Sequence, residues 1–353
     1  GNIIMNILFV GPVIYGSTTS QRYQSIKRLS KISKAINTSS KRNISIIQNI
    51  YFKFLCKIGF PNDPSNANQK IISTVKKTQP DILWLDKAIT IKPETIMDIK
   101  KISKKIKIVG YSPDNMSRFT NRSLYFTRSL KFYDYFYTTK SHGVKELKKY
   151  GVKKVFFVNN SFDPHTHKKI FLNEKKNTFK ASVGFVGTWE KNRAKILNFI
   201  AHSGINVKWW GSVSNRYYLL QKIYHDDNIK KFNTTLLGKD YTKAINSFDI
   251  AICFLRKDNK DLQTTRSVEI PACGTFMLAE RTKEHQRLFK EGVEAEFFSS
   301  QEELFRKIRY YLKNKSKRRQ IAIAGRKRCE KSGYSNDKMI KKILSFIQGK
   351  KLK

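Results

Sequence analysis

The residues best suited to chemistry lie in Leu255–Arg281, LRKDNKDLQTTRSVEIPACGTFMLAER. The stretch reads as a strand end, a polar loop, a helix, a tight turn at Gly274 and a further strand. Asp261 and Glu269 stand eight positions apart, the first in the loop over the strand end, the second in the first turn of the helix. Both carboxylates can therefore address one ligand. A carboxylate accepts short, charge-assisted hydrogen bonds and suits sugar hydroxyls. The backbone N–H groups of Thr264, Thr265 and Arg266 would open the helix, where phosphate is favoured. Thr264 or Thr265 is the natural N-cap.

The N-terminal half offers looser signals. Gly11 and Gly16, with Ser17, follow a first apolar run and allow close approach of backbone to a ligand, or form a plain strand-to-helix turn. Asp114, after Tyr111-Ser-Pro113, is a candidate base for an acceptor hydroxyl, or else builds an Asx turn. His142, at a helix start, is a second candidate, against a surface role. His165 and His167 either bind a ligand or cap a turn. Arg118, Arg122 and Arg128 form a basic stripe or a solvated face. Asp226-Asp227 is the nearest thing to a paired-acid metal site and reads as a solvated turn, so no metal is expected.

Elements that would position these groups alternate along the chain. Strands are expected at Ile3–Val10, Asp81–Leu85, Ile106–Gly110, Tyr133–Thr138 and Val155–Val158, with helices at Ser20–Ile36, Pro93–Lys104 and Ser141–Tyr150. The pattern restarts with strands at Ala181–Val186, Val207–Trp210, Asp249–Leu255 and Thr275–Ala279. Helices are expected at Arg193–Ser203, Tyr241–Ser247, Arg266–Cys273, Gln301–Lys313, Lys317–Lys331 and Asn336–Gln348. Trp84, Trp209 and Trp210 fall in strands and read as core; Trp189 either lines a ligand site or anchors its loop. The implied class is α/β, two tandem Rossmann-like domains with a cleft between the C-terminal edges of their sheets. The expected division is 1–165, a linker at 166–180, a second domain at 181–335, and a C-terminal helix with a basic tail at 336–353.

Composition sets the outer limits. A chain of 353 residues, 40% hydrophobic and 12% aromatic, suits two packed domains and excludes wholesale disorder. No apolar run approaches the roughly 18 residues of a membrane-spanning helix. The opening run lacks a basic leader and reads as a strand rather than a signal peptide, with Met5 fitting a native start. Four cysteines, none in a C-x-x-C pair, fit a reducing, cytoplasmic setting, with Cys253 and Cys273 in the core. The net charge of +43 points to a polyanion (nucleic acid, anionic membrane surface or acidic glycan) or to AT-rich coding composition. Lysine dominates and is spread along the chain, and no nucleic-acid-reading motif is present, which disfavours specific nucleic-acid recognition.

The segment Asp261–Glu269, with Ala272-Cys-Gly274, Ala279-Glu-Arg-Thr282, Glu284-His285 and Ser332-Gly-Tyr334, resembles the CgeB-type (spore maturation protein) branch of GT-B glycosyltransferases, relatives of the group 1 glycosyltransferases. Gly16-Ser-Thr-Thr-Ser-Gln-Arg22, Thr138-Thr-Lys140 and Asp163-Pro-x-x-His167 fit the same family. The resemblance implies a glycosyltransferase with a nucleotide-diphosphate-sugar donor in the C-terminal domain, an acceptor (glycan, lipid-linked or protein) on the N-terminal one, and no metal. It places the donor ribose on Glu269 and the transferred sugar on Asp261, where related families carry a longer Glu. Gly187, Thr188 and Trp189 would form the loop at the diphosphate. Thr188 replaces the family's Arg, so Arg193, with Arg256 or Arg266, would supply the charge. The competing expectations are a polyanion-binding protein and a GT-B protein that binds sugar nucleotides without transfer.

Overall fold

The computed structural model describes residues 3–39, 46–118, 121–173, 176–213 and 229–349. The chain forms two compact units. Unit 1 comprises Gly1–Asn159, Asp258–Lys260 and Asn336–Lys353; unit 2 comprises Asn160–Lys257 and Asp261–Ser335. Residues 160–180 therefore group with unit 2 instead of standing apart as a linker. Thr242 Oγ1 donates to the Thr166 carbonyl and Asn246 Nδ2 to that of Lys168, which ties the segment down. No helix among the described residues is long and apolar enough to cross a membrane.

Unit 1 holds strands β1 (Ile3–Gly11), β2 (Ser30–Asn37), β3 (Ile82–Asp86), β4 (Lys107–Ser112), β5 (Tyr135–Thr138) and β6 (Lys154–Phe157). They form one parallel sheet in the order β2-β1-β3-β4-β5-β6. Period-two alternation builds a core on each face. Leu8, Val10, Leu83 and Leu85 enter one. Ile7, Phe9, Ile82 and Trp84 enter the other, against Met339, Ile340, Ile343 and Leu344 of the helix Asn336–Ile347. That helix is therefore an integral layer of unit 1, not an appendage. Its Asp337 accepts from Ser25 Oγ at 2.5 Å and pairs with Arg28 at 2.5 Å.

One expected helix is shorter than its periodicity suggested. It spans Thr18–Leu29, and Ser30–Asn37 is strand. Ile26 and Ile36 are both buried, but Ile32 lies 58% exposed on the sheet edge. Spacing alone could not separate the two periods there. The helices Ile46–Lys57, Ala67–Thr78 and Leu124–Ser129 complete the layers of unit 1 with Pro93–Ile102 and Gly143–Lys149.

Unit 2 holds β7 (Ala181–Val186), β8 (Val207–Trp210), β9 (Ile229–Phe232), β10 (Phe248–Cys253), β11 (Met277–Glu280) and β12 (Glu296–Phe298), all parallel, in the order β12-β11-β10-β7-β8-β9. Its helices are Lys191–His202, Gly238–Ser247, Arg266–Ala272, Lys283–Leu288, Gln301–Lys313 and Lys315–Lys331. This is the Rossmann order, in which the direction of strand addition across the sheet reverses at the first strand. The reversal falls between β7 and β10; in unit 1 it falls between β1 and β3. Crevices at such points, beyond the C-terminal strand ends, are where open α/β sheets take ligands.

An ion-pair network braces the sheet edge of unit 2. Arg281, just past β11, pairs with Glu291 at 2.5 Å and Glu303 at 2.7 Å, while Lys307 reaches Glu291 and Glu296. The Arg281 guanidinium holds the Glu303 carboxyl down at about 2 and also lowers that of Glu291. A carboxylate whose folded pKa is depressed stabilises the fold above its unfolded value and loses that contribution as pH falls toward the folded one. Arg281→Ala should therefore lower the urea midpoint at pH 7, and its deficit against the wild type should shrink from about pH 4.5 downward. Denaturation curves at pH 7, 5 and 3.5 measure this.

Candidate active site

Each switch point carries a buried arginine, and the two are compensated differently. In unit 1, Arg22 is 2% exposed and faces Asp86, the last residue of β3, which is fully buried. Arg22 Nε donates to Asp86 Oδ2 at 2.7 Å and Nη2 to Oδ1 at 2.8 Å. Thr19 Oγ1 adds a bond to Oδ1 at 3.1 Å, and Trp84 Nε1 donates to Oδ2 at 3.4 Å. The guanidinium also lies 4.3 Å from the Tyr111 ring centroid. Burial works against the Arg22 charge, but Asp86 outweighs it and the pKa rises. Gly11 is required here, because a Cβ would come within 2.7 Å of the Asp86 carbonyl.

In unit 2, Arg193 is 3% exposed. Nη1 donates to the Thr188 carbonyl at 3.0 Å and Nη2 to the Leu255 carbonyl at 3.2 Å, so the side chain spans the loops after β7 and β10. Its nearest carboxylate, Glu190, is 3.4 Å away and is shared with Arg256 at 3.3 Å. Arg266 lies close by; its guanidinium and that of Arg193 are 5.8 and 5.4 Å from the Phe185 ring centroid. Among the described residues, the buried Nε atoms of Arg193 and Arg266 have no hydrogen-bond partner. Burial first, then repulsion from Arg266, pulls the Arg193 pKa down to about 10. Glu280, ending β11, accepts from the Leu255 N–H at 3.0 Å, and burial raises its pKa. Two of these guanidinium groups thus share Glu190, and burial pushes the nearby Glu280 toward its neutral form.

Gly187 and Thr188 form the loop at the end of β7. The Gly187 carbonyl accepts from Trp209 Nε1 at 2.8 Å, and a Cβ on Gly211 would lie 1.8 Å from that oxygen. Trp189 is 2% exposed and belongs to the core, so it anchors the loop.

Glu269 sits in the first turn of Arg266–Ala272, as its spacing implied, but is 5% exposed. Tyr241 Oη donates to its Oε2 at 2.7 Å. His167 Nδ1 accepts from the Asp163 N–H at 3.1 Å, which leaves the ring proton on Nε2, 3.7 Å from Glu269 Oε1. The carboxylate thus has a strong partner on one oxygen and a long contact on the other. Asp261 lies on the loop side: its N–H donates to the Arg256 carbonyl and its Oδ2 accepts from the Arg256 N–H at 3.4 Å, closing a turn. Thr265 occupies the N-cap position but makes no side-chain cap bond. Instead the Thr264 N–H donates to Ser267 Oγ at 2.9 Å, and Ser267 Oγ lies 2.7 Å from His285 Nε2. Because His285 Nδ1 faces the Glu280 carbonyl at 2.6 Å, the proton sits on Nδ1, and Nε2 accepts from Ser267.

The unit 1 candidates take separate places. Asp114 pairs with Lys87 at 3.0 Å, and its N–H donates to Ser112 Oγ, so a turn does form there. His142 is half-buried just before Gly143–Lys149. Gly16 takes a positive φ of 72°, and Ser17 caps the helix Thr18–Leu29 by accepting from the Ser20 N–H. Arg118 pairs with Asp258 at 3.6 Å, and Arg122 stacks on and bonds Tyr150, so the basic stripe is largely engaged. Asp226-Asp227 lies outside the described residues; among those described, no group of three or more His, Cys, Asp or Glu could hold a metal ion. Sequence reasoning missed Asp86, Glu190, Tyr241 and Glu280. An acid closing an apolar strand, as in ILWLD and MLAE, was the readable signal for two of them.

The fold is that of the GT-B glycosyltransferases, two Rossmann-like units in tandem. Residues 192–345 match the model of a family described as glycosyl transferase-like. The chain is similar in structure to HepE of Anabaena in complex with UDP-glucose, at 13% identity and TM-score 0.65 over 97% of this chain and 99% of that one. It is also similar to sucrose-phosphate synthase of Thermosynechococcus elongatus (10%, TM-score 0.63, 98% and 99%) and to a putative UDP-N-acetylglucosamine 2-epimerase of Listeria monocytogenes (11%, TM-score 0.57, 98% and 96%). No curated protein matches the chain in sequence. At these identities the structural likeness speaks for the fold alone.

Two stability predictions follow from the buried charges. Asp86→Ala leaves Arg22 buried without its anion and should cost about 3 kcal/mol or more, with part recovered by adding Arg22→Met. Tyr241→Phe removes the donor to Glu269 and should cost about 1–3 kcal/mol, less when Glu269→Gln makes the acceptor neutral. Urea denaturation of the single and double variants tests both.

Proposed function

We propose that the chain transfers a sugar from a nucleotide-diphosphate donor bound in unit 2 to an acceptor hydroxyl of a glycan, lipid or protein, as a cytoplasmic member of the CgeB-type branch, without a metal. The observation that carries this reading is the under-compensated arginine cluster at the β7/β10 switch point, inside a segment that resembles glycosyl transferases. A diphosphate there would accept from the unpartnered Nε groups of Arg193 and Arg266 and offset their mutual repulsion. Arg256, on the exposed rim, would add a third contact.

Transfer breaks the bond between the anomeric carbon and the diphosphate oxygen, and negative charge grows on the leaving group as it departs. Fixed guanidinium groups that the protein's own carboxylates compensate only in part would stabilise that charge more than they stabilise the donor. Glu269, held by Tyr241, would accept from the ribose hydroxyls through Oε1, and Asp261 would face the transferred sugar. On the acceptor side, Asp114 or His142 would take the hydroxyl proton, near the loop of Gly11, Gly16 and Ser17. HepE was solved with UDP-glucose, so UDP-hexoses are the first donors to try.

Calorimetric titration with UDP and UDP-glucose, paired with product analysis, tests this. Arg266→Ala and Glu269→Gln should each weaken binding about tenfold or more, the scale of a lost charge-assisted contact. Chelator should leave turnover unchanged. Binding equal to wild type in both variants would sink the donor assignment. An epimerised nucleotide sugar formed without acceptor would replace transfer with isomerisation.

A further inference from the structure

Large apolar side chains left in water concentrate on one helix of unit 1. On and just after Ile46–Lys57, Ile50, Tyr51, Phe54 and Ile58 are 63%, 57%, 56% and 42% exposed. At 100° per residue these positions fall within an arc of about 100°. Lys53 and Lys57, both exposed, flank that arc on one side.

The base of the helix is rigid and basic. The Leu124 N–H donates to the Gly59 carbonyl at 2.7 Å, and the Phe60 and Tyr125 rings meet at 5.4 Å. Arg128 lies 5.9 Å from the Phe60 ring centroid and Lys92 5.7 Å from that of Tyr125. No Asp or Glu precedes Asp63 in the chain, and the Asp63 carboxylate is taken by the N–H groups of Ala67 and Asn68.

We propose that this face docks the protein on an anionic lipid bilayer, with Ile50, Tyr51, Phe54 and Ile58 in the headgroup boundary and the flanking cations on lipid phosphates. The charge selects the occupant. A second copy would bring the same lysines and arginines face to face, with none of the helix's own residues a carboxylate and Glu94, beside Lys92, the exposed acid nearest them in sequence. A nucleic acid would satisfy the cations but leave the apolar arc against phosphate. A bilayer surface meets both requirements, since apolar burial and attraction to anionic lipid add. The proposal stands apart from the donor chemistry and needs none of the residues assigned to it.

Co-sedimentation of the full chain with vesicles of phosphatidylcholine, alone or with about 30 mol% phosphatidylglycerol, tests it at physiological salt. Binding to the anionic vesicles is expected, reduced at least tenfold by Phe54→Glu with Tyr51→Ser. Lys53→Glu with Lys57→Glu should remove the preference for phosphatidylglycerol. Phe171→Ser, at a residue 98% exposed in unit 2, should bind as wild type. Circular dichroism of every variant confirms that loss of binding is not loss of fold. Binding that survives the helix variants would reduce the effect to net charge and overturn the proposal. So would absence of binding by the wild type, or self-association abolished by Phe54→Glu without any vesicle binding.

Discussion

A guanidinium group taken out of water needs a negative partner, and this requirement organises both switch points. Unit 1 meets it internally: Asp86 receives two bonds from Arg22 and a third from Thr19. That site is complete as it stands, and its charges lock β1, β3 and the following helix together. Unit 2 meets it only in part. Arg193 gives its terminal nitrogens to two backbone carbonyls, shares one distant carboxylate with Arg256, and has Arg266 for a neighbour. The same fold thus presents a neutralised crevice in one unit and an anion-seeking one in the other, and the asymmetry comes from the acid that closes β3 without an equivalent on β10.

Glu269 belongs to a different balance. Its carboxylate is buried, yet Tyr241 and His167 keep it hydrogen-bonded at one oxygen and in long contact at the other. The phenol of Tyr241 stays protonated because burial and the adjacent carboxylate both raise its pKa well above its ordinary value. The acid is pre-oriented rather than exposed: its carboxylate is held by Tyr241 and has no full water shell to shed.

Much of the architecture was legible because buried parallel strands write themselves as short apolar runs between glycines and polar loops. All nine expected strands begin and end within two residues of those found, and the helix Gln301–Lys313 carries its own cap and acidic first turn. What escaped was local ambiguity and long-range pairing. Ser30–Asn37 lost its strand identity to a helical spacing that ran on through Ile32 and Ile36. β9 and β12 mix charged with apolar residues over three or four positions (IKKF, EFF), so no apolar run marks them. In the site, Asp261 and Glu269 stood out by spacing and Arg193 through the family resemblance, whereas Glu190, Glu280 and Tyr241 are defined by what they meet across the sheet. Thr265 does stand at the expected N-cap position but makes no side-chain cap bond, and the hydroxyl that His285 holds in place, 18 residues on, is that of Ser267 inside the helix.

The helix Asn336–Ile347, which follows unit 2 along the chain, supplies one face of the first sheet. During synthesis the strands around Phe9 and Trp84 therefore keep one flank uncovered while the residues of unit 2 are made. A chain halted before Asn336 would carry that apolar flank bare, a surface for a chaperone to cover.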